Sequence, residues 1–142
     1  MVLPSTNAQI SPSPQITGVA VDGEGGTFHP GQNIAARVGI YLSSSGSGWT
    51  SWTFWVGISY RTSDGALWDV CPPKQVTLSS GQGEANGVAF FNYAITDSST
   101  AANGPLQVSA ALWQDYNGGC SNAMFGFITS SGWITIGEYQ TS

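Results

Sequence analysis

The fold class of this chain is decided by residues 52–61, which read WTFWVGISYR. Apolar side chains recur at every second position, and a period of two places successive side chains on opposite faces of a β-strand. We therefore predict a strand with one buried face. The inward phase contains Trp52, Phe54, Val56, Ile58 and Tyr60, and Trp55 belongs to the opposite phase.

The same alternation is found on both sides of this stretch. Its inward phase is Ile34, Ala36, Val38, Ile40 and Leu42 in one run, and Leu106, Val108, Ala110 and Leu112 in another. The 19 glycines and 7 prolines interrupt the chain every few residues, and no segment has the spacing of an amphipathic helix. Further strands are expected over residues 16–21, 66–70, 75–78, 88–95, 123–129 and 133–139. The strand over 66–70 is expected to end at Cys71-Pro72-Pro73.

These eight or nine short strands predict an all-β sandwich. The turns between them are Pro30-Gly31, Asp64-Gly65, Pro72-Pro73 before Val76-Thr77-Leu78, Ser80-Gly81-Gln82, and Gly104-Pro105 before a strand ending in Ala111-Leu112-Trp113. This order resembles immunoglobulin-like sandwich modules of the adhesion-repeat type over residues 15–139. The resemblance implies an immunoglobulin-like antiparallel β-sandwich and no particular function, because such folds serve many functions.

Residues 1–14 differ in kind from the rest, since they carry prolines and no charged side chain. We predict an extended N-terminal arm over 1–14 and a single sandwich domain over 15–142. The arm is expected to bind neighbouring subunits. Its contact residues are Val2, Leu3, Pro4, Ile10, Pro12 and Pro14.

The charge of the chain is low and acidic, with 3 Lys and Arg against 8 Asp and Glu, and 8% charged residues in all. A typical soluble domain has about 25%. Without a basic cluster, nucleic-acid binding is excluded as a main function. No apolar run reaches the roughly 20 residues of a membrane-spanning helix. Residues 1–15 lack the basic start and apolar middle of a secretory signal, so we expect a chain made without export.

Conventional catalytic groups are scarce. The single histidine, His29, precedes Pro30 in a predicted turn, and the acidic residues have simpler interpretations as turn residues. We therefore expect no enzyme, no cofactor and no metal. The alternative is calcium ligation by Asp22 with Glu24, or by Asp115 with Asn117. Asx turns explain both of these segments equally well.

The two cysteines, Cys71 and Cys120, both follow predicted strand ends. A disulfide between them fits an extracellular protein, whereas free thiols fit assembly in a reducing cytoplasm. The sequence leaves both open.

Aromatic residues cluster at Trp49, Trp52, Phe54 and Trp55. Trp49 follows a Gly/Ser loop and Trp55 has the outward phase, so these two are the candidate exposed contacts. A tryptophan at such a position stacks on a sugar or anchors a protein partner.

With one lysine, the polar surface consists largely of uncharged side chains, which enter an interface without the desolvation penalty of a buried charge. In architecture and composition the chain resembles the decoration (cement) proteins of tailed-phage capsids, which are small, β-rich and commonly trimeric. This resemblance implies a non-enzymatic structural protein on a virion surface. Its partners would be copies of itself, for example in a trimer, and a capsid or surface lattice. The alternatives are an extracellular carbohydrate-binding module or lectin using Trp49, Trp55 and loop 115–122, and an adhesion or surface-layer module.

Overall fold

The structure, a computed structural model, describes residues 13–43, 51–79, 84–95, 102–118 and 123–141. The predictions for Val2, Leu3, Pro4, Ile10, Pro12, Trp49 and Cys120 lie outside these residues, as do the side chains of Trp52 and Cys71. The described part of the chain contains no helix that is long and apolar enough to cross a membrane.

The described residues form strands joined by turns, with no helix among them, and the all-β prediction is confirmed. The strands are β1 (Ser13–Val21), β2 (Thr27–Phe28), β3 (Asn33–Ser43), β4 (Ser51–Arg61), β5 (Leu67–Ser79), β6 (Glu84–Ala94), β7 (Gly104–Tyr116), β8 (Met124–Ser130) and β9 (Ile134–Tyr139).

Two sheets make up the sandwich. The smaller sheet has the order β1-β3-β6, and the larger has the order β2-β9-β7-β4-β5, with β8 also paired to β7. β9 pairs with the first half of β7 and β8 with the second half, so both lie along the same side of that strand. All of these pairs are antiparallel except the two-residue pair of β2 with β9. The closer comparison with immunoglobulin-like modules stays a prediction.

The core lies between the two sheets and contains the predicted inward phases of β3, β4 and β7. Phe54 and Val56 on β4, and Leu106 and Val108 on β7, have no exposed surface. They belong to one continuous cluster with side chains of β3 and β6 from the facing sheet. The alternation read from residues 52–61 is thus confirmed from Phe54 onward.

Strand β5 is longer than the sequence predicted. The prediction that Cys71, Pro72 and Pro73 end a strand is wrong, because β5 runs through them to Ser79. Opposite β4, Val70 pairs with Ile58 and Lys74 pairs with Val56, so three residues of β5 bulge against one of β4. Proline is tolerated here since a bulge on an edge strand needs no backbone donor.

The start of β1 also differs from the predicted domain boundary. Ser13 and Pro14, assigned to the arm, pair with Ser43 and Leu42 of β3. Pro14 is buried, so it belongs to the sandwich and not to a partner-binding arm. Its missing N–H is tolerated because β1 is an edge strand.

The Asp64-Gly65 hairpin between β4 and β5 is confirmed. Asp64 Oδ1 accepts a hydrogen bond from the Thr62 hydroxyl at 2.6 Å and another from the Ala66 N–H at 3.0 Å. These bonds hold the pKa of the Asp64 carboxyl below its usual range, with the Thr62 hydroxyl as the larger cause. The turn fixes the register in which β4 and β5 leave it.

Phe54→Ala should lower the free energy of unfolding by about 3 to 5 kcal/mol, because the side chain is fully buried between the sheets. The matched control is Ser59→Ala on the opposite phase of the same strand. Its hydroxyl binds Asp69 at an exposed position, so the loss should be about 1 kcal/mol or less. Chemical denaturation of both variants tests the strand phase, and equal small losses contradict it.

Candidate functional site

The outer face of the larger sheet carries a row of aromatic side chains. Trp55 on β4 pairs with Trp113 on β7, and Trp113 pairs with Phe127 on β8. Their strand neighbours Phe54 and Leu112 are buried, so the row lies on the side facing away from the core. Three adjacent strands therefore present aromatic rings at the same level of one sheet.

Contacts between aromatic rings add Tyr116 to this row and fix the positions of its side chains. The Trp55 and Tyr116 rings lie 4.8 Å apart, centroid to centroid, with 47° between their planes. The Trp113 and Phe127 rings meet edge to face at 5.2 Å and 72°. Phe125 shares the phase of Phe127 along β8, and the two side chains are 50% and 57% exposed. We call Trp55, Trp113, Tyr116, Phe125 and Phe127 the aromatic patch.

Two glycines shape the patch. A Cβ at Gly57 would lie 3.6 Å from Trp113 Nε1 and 3.9 Å from the terminal methyl of Met124, so these side chains lie over the glycine. Gly126, between the two phenylalanines, has φ of +72°, and a Cβ there would approach the Gln114 Cβ to 2.9 Å. Only glycine fits such a conformation without strain.

Beyond Gly57 the same face is polar. The Ser59 hydroxyl donates to Asp69 Oδ1 at 2.6 Å. Arg61 Nε donates to Gln107 Oε1 at 2.9 Å, and Gln107 Nε2 donates to Thr135 Oγ1 at 3.1 Å. The Arg61 guanidinium also lies over the Trp133 ring at 4.2 Å. The face thus combines an apolar half, the aromatic patch, with a half whose polar groups are already hydrogen-bonded.

A second concave region lies where the edge strands of the two sheets, β5 and β6, come together. A cavity of about 480 Å³ is lined there by Val70, Pro72 and Lys74 of β5, by Phe90, Phe91 and Asn92 of β6, and by neighbouring residues including Asp22 and Arg37. Arg37 Nη1 and Asp22 Oδ1 form an ion pair at 2.8 Å. Two of the three basic residues of the chain, Arg37 and Lys74, therefore face this cavity.

Asp22 and Glu24 lie in the turn after β1, and His29 precedes the turn into β3. Asp115, predicted in the loop 115–122, lies on β7 opposite Phe125, because that strand continues to Tyr116. Besides the pairing of Asp22 with Arg37, Glu24 Oε1 accepts the backbone N–H of Val21 at 2.6 Å. His29 is exposed, and its own backbone N–H donates to Gln32 Oε1. Among the described residues, no three His, Cys, Asp or Glu side chains are grouped so that they could hold a metal ion. Asp22 and Glu24 thus bind Arg37 and the Val21 N–H, respectively.

Of the predicted contacts, Trp55 lies on the aromatic patch, where it is half-buried beside Tyr116. Trp113, Phe125 and Phe127 were not predicted as contacts from the sequence, and Tyr116 was included only as part of the loop 115–122. Trp113 carried a usable signal, because it follows the inward residue Leu112 and so has the outward phase. The pairing of β4, β7 and β8, which unites the patch, has no comparable signature in the chain.

No protein-family model and no curated protein sequence matches the chain. Among solved structures, the chain is similar to the alkylpurine DNA glycosylase AlkC of Pseudomonas fluorescens, bound to DNA containing an abasic site analog. The TM-score is 0.49 at 15% identity, over 91% of this chain and 31% of the glycosylase chain.

A second similar structure is AvmM, which catalyses macrocyclization in alchivemycin A biosynthesis. Its TM-score is 0.30 at 14% identity, over 91% of its chain and 89% of this one. At these scores neither likeness bears on the function of this chain.

The contact between Trp55 and Tyr116 should be energetically coupled. A double-mutant cycle of Trp55→Ala and Tyr116→Ala should give about 0.5 to 1.5 kcal/mol of coupling, as for aromatic pairs in this geometry. The four free energies of unfolding are measured by chemical denaturation. Additive single effects would show that the two rings do not support each other.

Proposed function

We propose that this chain is a non-enzymatic structural subunit that binds other protein subunits through its sheet surfaces, as capsid decoration proteins do on a virion surface. The observation that supports the proposal most directly is the aromatic patch. Phe125 and Phe127 are at least half exposed and lie beside Trp113 on paired strands. Large exposed apolar groups that lie together on a rigid element are typical of a protein contact surface.

The energetics favour burial of this surface by a partner. Completing the burial of a Phe side chain contributes part of the roughly 1.5 to 3 kcal/mol gained from full burial. Among the described residues on this face, Arg61 is hydrogen-bonded to Gln107 and contacts the Trp133 ring. Asp115, which pairs with Phe125 and precedes Tyr116 along β7, is a charged group within the patch. Few charges therefore need to be desolvated when the patch is covered.

The partners in this proposal are copies of the same chain, a trimer being one form, together with a capsid or surface lattice. The role of the low charge is to keep these contacts free of buried unpaired ions. A free monomer, in contrast, gains solubility from charged surfaces.

Carbohydrate binding is the second candidate, since one observation favours it. Trp55 and Trp113 lie side by side on a sheet face, and the polar side chain of Ser59 follows on the same face four residues farther along β4. Flat aromatic rings beside hydrogen-bonding groups can stack on a sugar ring and bind its hydroxyls. The same surface thus serves either a protein or a glycan.

Phe127→Ser should weaken self-association of the chain at least tenfold, about 1.4 kcal/mol, while the melting temperature changes by a few degrees at most. The matched control is Leu67→Ser, because Leu67 is 56% exposed on the same sheet face but lies outside the patch. Sedimentation velocity over a concentration series measures the association. Equal association of parent, variant and control contradicts the proposed contact.

Adding saccharides to the same samples separates the two candidates. The structural proposal predicts no change in tryptophan fluorescence with sugar. A saturable shift that Trp55→Ala abolishes would instead support the carbohydrate-binding function.

A further inference from the structure

The edge strands of the two sheets differ in how they resist pairing with another chain. β5 has a bulge with Pro72 and Pro73, followed by Lys74, all of which obstruct edge pairing. β1 has Pro14 and a register shift between Ile16 and Gly18. β6 has none of these features, since all 11 of its residues pair with β3 in unbroken register.

The alternation of hydrogen bonds along β6 shows which of its backbone N–H groups point away from β3. The Ile95 N–H donates to the Gln32 carbonyl at 3.0 Å, which continues the register of β6 with β3. Since N–H groups alternate in direction along a strand, those of the odd-numbered residues point to β3. The N–H groups of Val88, Phe90 and Asn92 therefore point away from it, and among the described residues β6 pairs with β3 alone.

Space is available beside this edge. The cavity of about 480 Å³ is bounded by Phe91 and Asn92 of β6 on one side and by Val70, Pro72 and Lys74 of β5 on the other. Phe90, which also lines the cavity, is 64% exposed, and Val88 in the same phase of β6 is 50% exposed. An added strand would cover apolar surface as well as the free backbone groups.

Residues 5–11 have the chemistry of such a strand. This run, STNAQIS, lies between Pro4 and Pro12 and contains neither proline nor a charged side chain. Thr6, Ala8 and Ile10 alternate with more polar residues, which is the period of a strand with one apolar face. Seven residues can form main-chain bonds along most of β6.

The geometry favours a second copy as the source of the run. Residues 1–12 join the small sheet at Ser13 on β1, and β3 lies between β1 and β6. A position beyond β6 is three strand spacings from β1, about 14 Å. A chain spans this distance with at least four residues, at about 3.3 to 3.6 Å each. Residues 9–12 would therefore be needed as a bridge. Within one copy, about half of the run would then be lost to pairing.

We propose that residues 5–11 of one copy dock as an added strand on the free edge of β6 of another copy. The inference rests on the proposed function as a self-associating subunit, and it names the segment and the edge that meet. Backbone hydrogen bonds give the affinity, and the apolar phase of the run gives the fit against Phe90 and its surroundings.

The docked segment is tested in the full chain. Ala8→Pro removes a backbone donor in the middle of the run without touching a described residue, and Ala8→Ser is the matched control. Ala8→Pro should weaken self-association at least tenfold, measured by sedimentation velocity, and Ala8→Ser should leave it unchanged. Deleting residues 1–12 should have the effect of Ala8→Pro.

The receiving edge is tested by hydrogen exchange. Exchange at the amides of Val88, Phe90 and Asn92 should be slower in the associated full chain than in the chain lacking residues 1–12. Adding a synthetic peptide of residues 1–13 to the truncated chain should restore the protection. Phe90→Pro should abolish peptide binding, whereas Phe90→Ala, which keeps the N–H, should retain most of it.

The outcomes separate this inference from the proposed function. Continued association after deletion of residues 1–12, with unchanged exchange along β6, overturns the strand docking and leaves the structural role standing. A full chain that stays monomeric at all concentrations overturns both.

Discussion

Burial of one face of each of the strands β3, β4 and β7 holds the two sheets together. The inward side chains of these strands, Phe54 and Leu106 among them, have almost no exposed surface and form one cluster between the sheets. A slip of one residue in either sheet would turn this cluster to solvent, so the apolar pattern fixes the register. In a chain with 8% charged residues, charge pairing contributes little to this choice.

The same constraint determines where binding groups can lie. Once the inward phase is buried, the outward phase is free to vary, and on the larger sheet it carries Trp55, Trp113 and Phe127 in one row. The edge strands of the two sheets differ, because the proline bulge of β5 obstructs pairing with another strand, whereas β6 is regular. An aromatic face with few charges and an open strand edge are both surfaces that another polypeptide can cover.

The sequence predicted the fold well where one strand carries its own signal. The alternation in β3, β4 and β7 was sufficient for their phases, and Asp64-Gly65 for the hairpin between β4 and β5. β2 went unpredicted because two residues, Thr27 and Phe28, are too few to show a period. Pro72 and Pro73 led to the wrong prediction of a strand end, because proline ends a central strand but is tolerated at an edge bulge.

The candidate site was less predictable, since it depends on pairing between strands distant in the chain. Trp55 and Phe127 are 72 positions apart, yet both neighbour Trp113. No local pattern specifies which strands become adjacent in a sheet. Gly137 shows the same limit: a Cβ there would clash with the Gly26 carbonyl and approach the Phe28 ring to 2.7 Å, a constraint visible only after β2 and β9 pair.

In the proposed role, the chain associates through surfaces that carry few charges. This proposal can be tested by sedimentation equilibrium of the full chain in about 0.1 M and about 1 M NaCl, because salt at the higher concentration screens charge interactions beyond about 3 Å. We expect association at both concentrations, equal or stronger at high salt, where repulsion between copies of net charge −5 is screened. A monomer under both conditions, or an oligomer that dissociates in 1 M salt, as ion-paired contacts do, would contradict it.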